Sequence, residues 1–66
     1  MNVYVNQKLT IVSNDTSLDK FIESLAISDK YFAVEINMVI IPKSEFSKYI
    51  LQENDKIELI NAVGGG

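Results

Sequence analysis

The sequence predicts an α+β domain in which one main helix packs across a mixed sheet of about five strands. Several short stretches alternate apolar and polar residues with period two, and one stretch repeats its apolar residues with the period of a helix. Size is the third observation. The 66 residues suffice for one small domain, and a chain of this length buries only about 60% of the surface it exposes when unfolded. With no Cys and no His, disulfides and the usual zinc or iron–sulfur sites are excluded, so an apolar core must hold the fold. At 47% hydrophobic, rich in Ile, Val and Leu, the composition supplies one.

The first element is "NVYVN", where Val3 and Val5 share one face and Asn2, Tyr4 and Asn6 the other. After a polar break at Asn6-Gln7 comes "QKLTIV", so residues 2–12 read as a β-hairpin. Its turn has no Gly, and Asn6 is the best local candidate for a positive φ. The loop "SNDTS" follows, rich in capping residues. Leu18, Phe21, Ile22 and Leu25 then form one apolar stripe at i, i+3, i+4 and i+7, which predicts a helix over about residues 17–27. Thr16 or Ser17 is the expected cap, and Asp15 and Asp19 suit the positive end of the helix dipole.

"YFAVEIN" is the next strand, with Val34 and Ile36 inward and Glu35 outward. "MVIIP" continues as a short strand after a turn near Asn37-Met38 and stops at Pro42, which cannot donate to a ladder. "KSEFSKYILQ" reads as a short helical turn capped by Ser44, packing Phe46 and one of Ile50 or Leu51 on the sheet. "ENDK" is a turn. "KIELIN" is the last strand, with Ile57 and Leu59 inward. Residues 1–61 are therefore expected as the domain and 62–66 as a flexible Gly-rich tail.

Charge and pattern exclude several function classes. Six Lys, no Arg and nine Asp or Glu give a net charge of −3, which disfavours nucleic acid and favours ordinary solubility or a basic partner. The first ten residues lack the basic-then-apolar pattern of a signal peptide, and no apolar run approaches a membrane span. A soluble, cytoplasmic monomer is the expectation.

Chemistry-bearing residues are sparse. Without Cys or His the common acyl-transfer constellations cannot form, and every Ser falls at a loop, cap or exposed helix position. Glu53 and Asp55 are too few for a calcium loop and suit a turn. Phosphate-binding Gly loops are absent, because all three glycines are Gly64, Gly65 and Gly66. An enzyme in its own right is not expected. Tyr4 and Ile60 fall on the outward register of their strands. If those strands are neighbours the pair forms a small apolar patch, either a docking surface or ordinary surface hydrophobes. The tail is the other candidate. Glycine lacks a Cβ and fits channels that admit no side chain, and residues 62–66 extended reach about 16 Å at roughly 3.3 Å each. Composition alone favours a frayed end or a linker.

The segments "AVEIN", "IIPKSEF" and "ENDKIELINAVGGG" take the argument further. They resemble, in order and spacing, the ThiS family of thiamine-pathway sulfur carriers, relatives of ubiquitin and of the molybdopterin-pathway carrier MoaD. Ile36-Asn37, Ile41-Pro42-Lys43, Phe46, Glu53-Asn54-Asp55 and Gly65-Gly66 carry the match. Met38 stands where the family often has Gly, which points to a different turn geometry there. Asn54 replaces the Gly of an Asp-Gly-Asp turn and can keep its left-handed conformation. Lys43 stands where Arg is common, keeping charge without the planar fork.

The resemblance implies a ubiquitin-like β-grasp fold and a role for the tail. Gly66 would be the reacting residue, its carboxylate adenylated by a ThiF-type adenylating enzyme with ATP and Mg²⁺. A cysteine-derived sulfur donor would convert it to a thiocarboxylate, and a ThiG-type thiazole synthase would take up that sulfur. Gly64 and Gly65 would thread the enzymes' channels, Tyr4 and Ile60 would dock, and the chain would bind no cofactor or metal of its own. A MoaD-like carrier for molybdopterin, a protein-conjugating modifier joined through Gly66, and a β-grasp binding module with an inert tail are the competing readings.

Overall fold

A computed structural model describes residues 1–25 and 31–61. Strand β1 (Asn2–Val5) and strand β2 (Lys8–Ile11) form the first hairpin, followed by helix α1 (Leu18–Ser24). Strand β3 (Tyr31–Ile36) and the two-residue strand β4 (Val39–Ile40) form the second hairpin. A 3₁₀ turn (Lys43–Glu45) and a loop lead to strand β5 (Lys56–Asn61). The sheet order is β2-β1-β5-β3-β4. β5 lies parallel to β1 and antiparallel to β3, so the sheet is mixed.

Alternation decides which face is buried. Val3, Val34, Ile36 and Ile57 point to the helix side and join Leu18, Phe21, Ile22 and Leu51 in the core. Each such side chain contributes about 1.5–3 kcal/mol on leaving water. Phe46 packs partly buried against this cluster. Of the two alternatives for the loop, Leu51 is the buried one and Ile50 stays exposed.

Both hairpins close through two-residue turns, Asn6-Gln7 and Asn37-Met38, with all four residues at positive φ (49°, 71°, 52° and 71°). This pattern matches the right-handed twist of paired strands and usually calls for Asn-Gly. Asn6 adopts the expected conformation. Gln7 and Met38 occupy the position where a Cβ crowds the following carbonyl. Met38 therefore keeps the usual turn geometry instead of changing it, correcting the sequence expectation. Asn54, at φ 68°, preserves the left-handed turn as expected.

Two caps differ from expectation. Ser17 occupies the N-cap position of α1, yet its side chain does not cap. Two free N–H groups of the first turn are met from across the molecule, Leu18 N–H donating to the Tyr49 carbonyl (2.8 Å) and Asp19 N–H to that of Phe46 (3.1 Å), while Lys20 N–H donates to Asp19 Oδ1 (2.8 Å). The Ser17 hydroxyl is thus free to donate to the Asp19 carboxylate, which holds its pKa below the usual value. Thr16 instead donates to the Ser13 carbonyl. Pro42, not Ser44, sits at the N-cap of the 3₁₀ turn, and Ser44 lies within it. α1 ends at Ser24 with Leu25 as its C-cap, and positions 26–27 of the predicted helix lie outside the described residues.

Met38 is 91% exposed, so its side chain contributes strain without packing. Met38→Gly should raise stability by about 0.5–1 kcal/mol, the left-handed cost less glycine's unfolded-state entropy. A thermal melt should shift upward by roughly 2–8 °C.

Candidate functional site

The central strand β5 leads toward the glycines, so the site is built around what holds that strand. Asp55, just before it, is 4% exposed. A buried carboxylate is costly unless its oxygens are filled. Asn37 Nδ2 donates to Oδ1 (3.0 Å), while the Tyr49 hydroxyl (3.0 Å) and Gln52 N–H (2.9 Å) donate to Oδ2. Among the described residues every buried side-chain nitrogen or oxygen has a partner.

Two asparagines secure the flanks of the strand. Asn37 Oδ1 accepts Lys56 N–H (3.1 Å) from the β3 side, and Asn6 Oδ1 accepts Leu59 N–H (3.0 Å) from the β1 side. Each is the first residue of a hairpin turn. Asn serves twice there, because it tolerates positive φ and carries an acceptor on a short arm.

The turn at Glu53-Asn54 is fixed from outside the loop. Asn54 N–H donates to the Asn2 carbonyl (2.6 Å), and Asn2 N–H donates to Glu53 Oε1 (3.2 Å). Glu53 and Asp55 thus have structural partners, in keeping with turn chemistry. Among the described residues no group of three or more acidic, His or Cys side chains is placed to hold a metal.

Among the described residues, nothing covers the sheet face opposite α1. Tyr4 and Ile60 both lie on it, and their strands are neighbours. The register nevertheless separates them: Tyr4 pairs with Lys56, whereas Ile60 pairs with Ala33. Four residues along β5 amount to about 13 Å, so the two do not form one patch. Leu9 adjoins Tyr4 on β2, and Ile40 adjoins Glu35 on β4. Between these apolar groups, Glu35 and Glu58 stand directly opposite each other on β3 and β5.

Two shallow depressions share this face. One, of about 380 Å³, is lined by Tyr4, Gln7, Lys56, Ile57 and Glu58. The other, of about 490 Å³, is lined by Glu35, Asn37, Met38, Lys56 and Glu58. Neither is lined by a nucleophile–base pair. Gly64, Gly65 and Gly66 lie outside the described residues. Sequence reasoning placed Glu35 outward but missed its pairing with Glu58, which depends on a register set by residues more than twenty positions apart.

Strand order, the helix on one face and the open opposite face define a ubiquitin-like β-grasp domain. The chain belongs to the ThiS family, whose model matches residues 1–66. Its structure is similar, over the whole of both chains, to that of the thiamine biosynthesis protein ThiS from Geobacter metallireducens, with a TM-score of 0.84 and 25% identity. A thiazole synthase of Paramagnetospirillum magneticum is 27% identical over 66 residues, and the chain spans only 20% of that protein's length. The uncharacterized protein ycf40 of Pyropia yezoensis is 30% identical over 66 residues, which cover 93% of it.

The Asp55 network generates two predictions. Asp55→Ala leaves three donors without their acceptor, each costing about 1–3 kcal/mol. A domain of this size has roughly 3–10 kcal/mol in total, so urea titration should find the variant largely unfolded, with Asp55→Asn intermediate. The second concerns pH. Burial, and then the Asp55 carboxylate that accepts its proton, push the Tyr49 phenol from 10.0 up to about 12. The folded state favours the neutral phenol, so this contribution is complete below the unfolded value and is lost as pH climbs through the folded one. Denaturation midpoints should fall more steeply between pH 10 and 12 for the unaltered chain than for Tyr49→Phe.

Proposed function

We propose that this chain is a sulfur carrier of thiamine biosynthesis that serves as a co-substrate for other enzymes. One observation carries the reading: the ThiS family model spans the chain from the first residue to the glycines. The similarity of the Paramagnetospirillum thiazole synthase to this chain, over a fifth of its length, adds support for a working relationship with thiazole formation.

In this reading Gly66 carries the reacting carboxylate. A carboxylate is a poor electrophile, and a ThiF-type adenylating enzyme would overcome this with ATP and Mg²⁺. The carboxylate oxygen attacks the α-phosphorus and pyrophosphate leaves, giving an acyl-adenylate whose leaving group is AMP. A cysteine-derived persulfide then attacks the acyl carbon and expels AMP, and a thiol cleaves the S–S bond of the resulting acyl disulfide, leaving the thiocarboxylate on Gly66 and a disulfide on the donor. A ThiG-type thiazole synthase takes up the sulfur. Residues 1–61 act as the body that enzymes recognise, and 62–66 as the tail that enters their active sites, with Gly64 and Gly65 admitting close approach. The chain works as a monomer among cytoplasmic enzymes and holds no cofactor itself.

The test is an intact mass after incubation with a thiamine-pathway adenylating enzyme, ATP, Mg²⁺ and a sulfur source, followed by a thiol-alkylating reagent. Oxygen-to-sulfur exchange alone shares its nominal mass change with oxidation of Met1 or Met38, and alkylation separates the two. Since the sequence contains no Cys, an alkyl label on the C-terminal fragment marks a thiocarboxylate. The expected result is that label, abolished by deleting Gly65 and Gly66 while the fold persists. An unlabelled chain beside a labelled control carrier would overturn the proposal in favour of a conjugating or inert tail.

A further inference from the structure

We propose that strand β2 is a self-recognition edge, through which two copies of this chain pair antiparallel about a two-fold axis and join their sheets. The inference stands apart from the carrier reading and leaves the dilute chain a monomer.

β2 is the outermost strand of the sheet on its side, and the hydrogen-bond phase shows which of its backbone groups face outward. Met1 and Val12 exchange both bonds: Val12 N–H donates to the Met1 carbonyl (2.9 Å), and the Met1 amino group to the Val12 carbonyl (2.7 Å). Bonded and non-bonded pairs alternate along an antiparallel ladder. From the register, Val3–Thr10 and Val5–Lys8 are therefore bonded pairs, and Tyr4–Leu9 and Asn2–Ile11 are not. Tyr4 N–H agrees with this phase by donating the other way, to the Asp55 carbonyl (2.8 Å). The N–H and C=O groups of Leu9 and Ile11 hence point away from β1, and among the described residues no other strand meets them.

An exposed edge is a template for pairing unless the chain blunts it. The opposite edge is blunted, because β4 has two residues and Pro42 stands just beyond it. β2 has four residues, with no Pro and no register shift against β1. Its Leu9 and Ile11 are 56% and 79% exposed.

A second copy fits this edge because the strand complements itself in reverse. Centred on Thr10, the pairing sets Leu9 against Ile11 of the second copy, and Ile11 against its Leu9. Each such pair brings outward backbone groups together and exchanges two main-chain bonds. Thr10 meets Thr10 of the second copy in a non-bonded position, where side chains are closest and Thr–Thr pairs are favoured. Lys8, the one charged residue of the strand, stands opposite Val12. The two lysines are then about 13 Å apart along the seam, beyond the screening length of about 8 Å at physiological salt. The axis runs perpendicular to the sheet, so both helices stay on one face. β1 separates β5 from the seam. Only the blunted β4 edges remain outside, so assembly closes at two copies. The seam is short beside the interface of a stable dimer, which makes the association weak and dependent on concentration.

The test is sedimentation of the full chain from about 10 μM to about 1 mM, a range suited to weak association, with amide exchange followed at both ends. The expected result is a monomer at the lower end and a growing dimer at the upper. Exchange at Leu9 and Ile11 N–H should slow with concentration. Exchange at Ile40 N–H, which faces outward on the β4 edge, should not. Ile11→Lys sets a charge against Leu9 at both ends of the seam and should weaken association about 10-fold or more. Its melt should hold, because Ile11 packs little in the free chain. Thr10→Cys reports the register, since the Cβ spacing of a non-bonded pair suits a disulfide. With oxidised glutathione it should form a linked dimer about 10-fold faster than Ser47→Cys, an exposed position off the sheet. A chain that stays monomeric at the highest concentration, with unchanged exchange at Leu9 and Ile11, would overturn the proposal. A dimer that Ile11→Lys leaves intact would overturn it in favour of another surface. Thr10→Cys linking no faster than Ser47→Cys would overturn the register and the proposal with it.

Discussion

The buried carboxylate of Asp55 is the constraint on which most of this structure depends. A charge removed from water must be repaid in hydrogen bonds, and its three donors come from two segments. Asn37 belongs to the β3–β4 turn, and Tyr49 and Gln52 to the loop that runs from the 3₁₀ turn to β5. Satisfying one carboxylate therefore sets the relative positions of a hairpin, a loop and the central strand. The loop also supplies carbonyls from Phe46 and Tyr49 to the first turn of α1. Helix and sheet are in this way tied through the same stretch of chain.

One face of the sheet is covered by α1 and packed with aliphatic side chains and Phe21. The other, among the described residues, presents charged side chains between apolar edges. In the proposed carrier role the body would supply recognition and the partner enzymes the chemistry. In the proposed carrier role, family membership and the open face support each other, one through the whole length of the chain and the other through its local chemistry.

Elements governed by local pattern were legible in the sequence. The alternation of "NVYVN" and "KIELIN" identifies strands and their inward residues, and the stripe at Leu18, Phe21, Ile22 and Leu25 identifies the helix. Asn54 was recognisable as a left-handed turn residue because few side chains tolerate that conformation. What escaped depends on distant partners. Ser17 and Ser44 read as caps by residue type, but carbonyls from a remote loop displaced the first, and Pro42 took the N-cap position assigned to the second. The Asn37–Asp55–Tyr49 network joins residues that appear in the sequence only as a turn, an acid and an aromatic. Tyr4 and Ile60 were assigned to the correct face, yet their separation follows from the β1–β5 register, which no local pattern encodes.

The place of β5 also shapes how the chain can fold. It comes after every other strand in sequence and between the two hairpins in space. Asn6 and Leu59, bonded to each other, are 53 positions apart. A growing chain that has not reached residue 56 can form each hairpin but has nothing to join them. Their inner edges stay unpaired, and the carboxylate of Asp55 has no settled site. Such dependence on remote contacts slows folding and prolongs the lifetime of open edges. Synthesis from one end to the other therefore gives this domain no early folded half, and its architecture closes in a single late step.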